Sequence, residues 1–216
     1  MSNTAGPGEF NRDQWTGFDG IRRAMASLSS FDIESLQRLS EPYLHFRESL
    51  DRFQSEHFGP ICRAACYETK MSACCGFESI FTFFADMVVE CLFSSVEEQA
   101  GILEVLGKQN RSRRCVYLGE KGCIWTTRPI SCAMFVCEDA VNAAFQDRPG
   151  AKDEWQAYRR REREFTYPDQ PVLFDELEKY FRNLGVDSVH MYFHRSPGLM
   201  RLKQANGLTE GLPLRR

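Results

Sequence analysis

The chain has 216 residues, 43% of them hydrophobic and 26% charged, with a formal net charge of −3. This is the composition of a globular protein with enough chain for one large domain or two small ones. So small a net charge gives no general electrostatic case for a nucleic-acid or membrane partner.

The first ten residues lack a basic segment leading into an apolar run and do not read as a signal peptide. No stretch approaches the roughly 18 uninterrupted apolar residues of a membrane span. The expected compartment is therefore the cytoplasm, where thiols stay reduced. Seventeen phenylalanines can fill a large core, so nine cysteines are not needed as disulfide staples.

Residues 1–15 are polar and read as a disordered N-terminus. Residues 16–60 read as N-terminal helices, from Phe18 to Leu28 and from Phe31 to about His57. A break is expected near Pro42, with Ser40 as a cap, because proline suits the first turn of a helix and not its interior. Residues 61–148 hold the cysteines. Within them Phe77, Ile80, Phe81, Phe84, Met87, Val88, Cys91 and Leu92 recur at three- and four-residue steps, predicting a helix with one apolar stripe. Glu78, Asp86 and Glu90 fall on its polar side, where exposure is expected. Ser94 or Ser95 caps the next helix, which runs to about Lys108.

Cys115–Leu118 and Cys123–Trp125 flank a glycine-bounded turn and predict a β-hairpin. Arg128-Pro129 opens a helix that carries Cys132 and Cys137 to about Gln146. Residues 149–216 read as a helical extension of the same domain, with helices over Asp153–Phe165 and Pro171–Asn183, the latter closed by Gly185. The expected fold class is mainly α with a small β-hairpin, an irregular cysteine-rich metal-binding core packed on helices.

Eight of the nine cysteines form two clusters. The first is Cys62, Cys66 and the adjacent pair Cys74-Cys75; the second is Cys115, Cys123, Cys132 and Cys137. Crowded thiolates in a reducing compartment suit Zn²⁺ or an iron–sulfur cluster. The hairpin can bring Cys115 and Cys123 together. Cys132 and Cys137 do not share a clean helical face, so either the helix starts irregularly or the two serve different sites. Neighbours such as Cys74 and Cys75 normally diverge. One metal site or two are both compatible with this spacing. Cys91, on the apolar stripe, reads as core.

The run from Cys115 through Gly122-Cys123-Ile-Trp-Thr-Thr-Arg128-Pro129-Ile-Ser-Cys132 to Cys137 resembles the second half of the CxxCxxCC-type cysteine-cluster family of zinc- or iron-chelating domains. The similarity covers about residues 62–137, and Arg-Pro-x-x-Cys is its most specific element. It implies metal chelation by a compact cysteine core. The family also includes proteins described as iron–sulfur oxidoreductases, and a flagellin lysine methylase contains such a domain. The chain departs from the pattern in its early gaps of three and seven residues, in Trp125 for the usual Tyr, and in Ala133 for a frequent Arg.

An anionic metal–thiolate site needs nearby cations or hydrogen-bond donors. Arg128 is placed in the sequence to act on the cofactor from outside the ligand shell. The basic run Arg159–Arg163 lies where acidic and basic side chains balance, which argues against nucleic acid. His190 and His194 are spaced i, i+4 without the Glu of a metalloprotease motif. The expectation is an iron–sulfur protein, a four-iron cluster in preference to zinc, with a redox or electron-transfer role and a protein redox partner. It would then be an oxidoreductase. The rivals are a structural zinc module in a helical interaction domain and an accessory protein acting on another polypeptide.

Overall fold

A computed structural model describes residues 9–69, 82–108, 114–120, 122–146, 148–167, 172–189, 191 and 205. It is mainly helical with one two-stranded antiparallel hairpin, as the sequence predicts. No helix among the described residues is long and apolar enough to cross a membrane.

The first helix, α1 (Glu9–Ala26), begins inside the segment read as disordered. Its polar N-terminal half is held by tertiary packing, since Asn11 and Gln14 are buried. Helix α2 (Ser30–His57) starts at a capping box between Ser29 and Asp32. It runs unbroken through Pro42, against the expected interruption, and Ser40 lies buried inside it instead of capping a new helix. Pro42 itself faces solvent. Tyr43, Phe46, Leu50 and Phe53 bury one face beyond it, and that packing outweighs the local cost of the proline.

A short helix, α3 (Gly59–Cys62), continues into a π-helical turn, Arg63–Tyr67. Helix α4 (Phe84–Phe93) is the central element and packs against α1 and α2. Helix α5 (Val96–Gly107) is capped by Ser95 with Glu98, as expected. Strands β1 (Leu118–Gly119) and β2 (Gly122–Cys123) pair in the register Leu118 to Cys123. Gly122 has φ +119°, which a side chain would strain.

The single helix expected after Pro129 is two, α6 (Ile130–Met134) and α7 (Glu138–Phe145). Helices α8 (Pro149–Thr166) and α9 (Leu173–Asn183) complete the fold. Gly185, at φ +84°, closes α9: its N–H reaches the Arg182 carbonyl, and Val186 N–H reaches that of Phe181. Aromatic rings join the helices in two groups. Tyr43 and Phe46 of α2 meet Phe165 and Phe174, while Phe53 and Phe58 meet Phe145 and Trp155.

Candidate metal centre

Tyr117 leads into the hairpin between Cys115 and Cys123. It is buried just ahead of β1, and its carbonyl accepts the N–H of Ile124 at 2.9 Å. A turn at Cys115, whose carbonyl accepts the Leu118 N–H at 3.2 Å, keeps Cys115 beside the hairpin but out of its ladder. Burial pushes the Tyr117 phenol well above its usual range, and negative charge on Cys115, Cys123 and Cys132 adds to the shift. Cys123 is exposed; Cys115 and Cys132 are half-buried.

The loop between β2 and α6 is held from the protein interior. Glu90 of α4 accepts the N–H of Thr126 at 3.0 Å and of Thr127 at 2.8 Å, one on each carboxylate oxygen. Asp86, one turn earlier, accepts the N–H of Ile130 at 3.0 Å and of Phe83 at 3.0 Å. Asp86 thus satisfies orphan donors at the starts of both α4 and α6. Both carboxylates are buried, Asp86 at 2% and Glu90 at 0% exposure, which corrects the expectation that they face solvent. Residues 84–92 of α4 are buried without exception, so this helix has no solvent side. Burial pushes the Asp86 carboxyl up to about 7 against the pull of the Ile130 and Phe83 N–H groups and of Arg47. Burial likewise raises Glu90, opposed by the N–H groups of Thr127 and Thr126.

Helix α2 grips the same loop from the other side. Arg47, 2% exposed, donates to the Arg128 carbonyl at 2.7 Å and to the Tyr43 hydroxyl at 3.0 Å. The Gln54 amide donates to the Ala133 carbonyl and accepts from the Arg128 guanidinium at 2.5 Å. Arg128 also pairs with Asp51 at 3.5 Å. Arg47, Asp51 and Gln54, which hold Arg128, are thus all on α2, and its backbone is fixed as firmly as its side chain. Arg128-Pro129 consequently enters α6 in a set direction, which places Cys132.

The split between α6 and α7 separates Cys132 from Cys137. Cys137 is the N-cap residue of α7, so the two are not obliged to share a helical face. Helix α3, which ends at Cys62, packs against α7. The Tyr67 hydroxyl of the π-helical turn donates to the Glu120 carbonyl in the hairpin turn. The segment carrying Cys62 and Cys66 is thereby brought to the late cluster. The Cys66 side chain, together with Cys74 and Cys75, lies outside the described residues, as do Phe77, Glu78, Ile80, Phe81, His190 and His194. Cys91 is buried in the core, as expected, and burial pushes its thiol well above the usual range. A thiol held protonated in this way is a poor metal ligand.

Sequence reasoning passed over the polar residues that flank Tyr117. Its hydroxyl donates to Gln14 Oε1 of α1. Gln14 is fully buried and Asn11 nearly so, and their amide nitrogens have no hydrogen-bond partner among the described residues. The indole N–H of Trp125, whose ring stands edge-on to Tyr117 at 5.2 Å, is in the same condition. No local pattern in α1 announces this, because the partner of Gln14 lies 103 positions away. The missing signal for Asp86 and Glu90 was present: carboxylates within a segment apolar on every side must find donors inside the fold.

Cysteine thiols are soft donors of the kind that suits zinc or an iron–sulfur cluster. Among the described residues alone, no group of three or more His, Cys, Asp or Glu side chains is arranged to hold a metal ion. Comparison of the chain with protein-family models, curated proteins and solved structures finds no match.

Proposed function

We propose that the protein holds an iron–sulfur cluster through its cysteine clusters and serves in electron transfer or oxidoreduction. What supports this reading is the crowding of eight cysteines into two clusters, with α3, which ends at Cys62, packed against α7, whose N-cap is Cys137. Cys115, Cys123 and Cys132 are its proposed ligands, as are Cys62 and Cys137, on packed elements, and Cys66, on the adjoining turn; Cys74 and Cys75 complete the set. When bound, such a cluster supplies one-electron redox chemistry. The chain's own residues do the positioning. Asp86 and Glu90 hold the backbone ahead of Cys132, Arg47 and Gln54 hold it from α2, and the rings of Tyr117 and Trp125 exclude water from the inner side.

A structural zinc ion is the second reading, favoured by how rigidly the Arg128–Ala133 segment is tied to α2 and α4. Anaerobic purification with metal analysis and an absorption spectrum separates the two. Iron and sulfide in stoichiometric amounts with broad visible absorption are the expected result. A colourless protein with one or two tightly held zinc ions overturns the redox reading.

A further inference from the structure

Helix α8 sorts its charges by side. Lys152, Arg159 and Arg163 are exposed and fall along one stripe of the helix, with Arg160 at its edge. Glu164 lies beyond Arg160 and pairs with Arg161 at 3.7 Å, and Glu162 is half-buried. A run balanced in sequence is therefore a basic stripe in the fold. Lys152, Arg159 and Arg160 have no ion-pair partner among the described residues, and Arg163 lies over the Tyr167 ring at 3.8 Å.

Helix α2 carries the opposite sign on the face turned from the core. Glu34, Glu41 and Glu48 recur along it every two turns and are exposed. They line an open groove of about 450 Å³ together with Leu44 and, from the end of α4, Phe93. The other charged residues of this face are Arg38, paired with Glu34 at 3.9 Å, and the titratable His45. Glu41 and Glu48 have no ion-pair partner among the described residues.

The two stripes share one repeat. Glu41 and Glu48 are separated by the same number of residues as Lys152 and Arg159, about 10.5 Å along either helix axis. Opposite charges at a common repeat set the register of one helix on another. They do not meet within one chain. Helix α8 faces α2 through Tyr158, whose hydroxyl donates to the Ser49 carbonyl at 3.2 Å, and through Phe165 stacked on Phe46.

We infer that two copies of this chain associate, the basic stripe of α8 in each lying along the acidic groove of α2 in the other. Helices α2 and α8 pack side by side, so one copy offers both surfaces and the pair closes with two such seams. The aliphatic stems of Lys152 and Arg159 cover Leu44 and Phe93 while their charged ends reach Glu41 and Glu48. A nucleic acid would engage α8 alone; a second copy uses both surfaces. The pairing does not depend on what the cysteines hold.

Sedimentation velocity of the full chain tests this. At about 100 μM protein and about 50 mM NaCl a dimer is expected, and about 500 mM NaCl should weaken it at least about 10-fold, because the seams are exposed charge pairs. Glu41→Lys with Glu48→Lys, and Lys152→Glu with Arg159→Glu, should each give a monomer at low salt. Their circular dichroism should match the wild type, since all four side chains face solvent. Mixing the two variants should restore a dimer, as each reversed charge then meets its opposite in both seams. Glu97→Lys with Glu104→Lys on α5 changes the net charge equally and should dimerise as the wild type does. A wild-type chain that stays monomeric at low salt overturns the inference. A dimer kept by either charge-reversed variant, or a mixture of the two that stays monomeric, does the same.

Discussion

Asp86 Oδ1 accepts the backbone N–H of Ile130 at 3.0 Å, joining the first turn of α4 to the first turn of α6 across 44 positions of chain. One buried side chain thus fixes where the Arg-Pro-x-x-Cys segment becomes helical. Removing it leaves the N–H groups of Ile130 and Phe83 buried without acceptors. Asp86→Ala is expected to lower stability by about 2–4 kcal/mol, and Glu90→Ala by a similar amount, through the same loss at Thr126 and Thr127. Urea denaturation checks this. Glu104→Ala, which removes only an exposed pair with Lys108, serves as the control and should cost no more than about 0.5 kcal/mol.

Asp86 also makes stability depend on pH. Its carboxyl titrates near 4 in the unfolded chain and at about 7 in the fold, so the native state holds one more proton between these values. The contribution of this group is therefore fully present below about pH 4 and is lost as pH rises through about 7. Burial raises Glu90 in the same direction. Denaturation midpoints of metal-free protein should fall from pH 5 to pH 8. In Asp86→Asn the slope should flatten even though the midpoint itself drops. An equal slope in wild type and variant would refute the assignment.

Cysteine substitutions should separate ligands from core. Cys115→Ala, Cys123→Ala and Cys132→Ala are each expected to reduce bound metal, read by elemental analysis of purified protein. Cys91→Ala should leave metal content unchanged and cost about 1 kcal/mol of stability, because it trims a buried side chain that sits in the core. Unchanged metal in Cys132→Ala would contradict the strongest of these assignments.

Pro42 offers a test of the α2 helix. It is exposed and lies inside a continuous helix, where it removes one N–H and crowds the carbonyl of Arg38. Pro42→Ala should raise stability by about 1–2 kcal/mol, the helical gain being partly offset by a freer unfolded chain. The rise in thermal midpoint measures it. A fall would mean that the proline's shape is needed where it stands.

Periodicity and caps were legible wherever the cause was local. Ser95 with Glu98 and Gly185 after Asn183 act within a few residues of themselves, so their spacing was sufficient. The hairpin was legible from its glycines, though not its register: Leu118 opposes Cys123, which leaves Cys115 outside the ladder. Pro42 misled because local strain was set against aromatic packing contributed by α8 and α9. The break between Cys132 and Cys137 was equally hidden. It depends on Asp86, Gln54 and Arg47, none of them near it in sequence.

By itself the sequence determined a mainly helical chain, one glycine-turned hairpin, a core cysteine at position 91 and two dense clusters of thiols. Those are consequences of residue type and short spacing, which act through neighbouring backbone. Only the tertiary structure decided that α4 is buried on every side, that its two carboxylates hold the loop ahead of Cys132, and that Gln14 of α1 reaches Tyr117. Buried polar groups must find partners wherever the fold brings them, and such partners lie tens of residues away. The cysteine clusters are read from the sequence alone; the buried side chains of α2 and α4 that hold the loop ahead of Cys132 are read only from the fold.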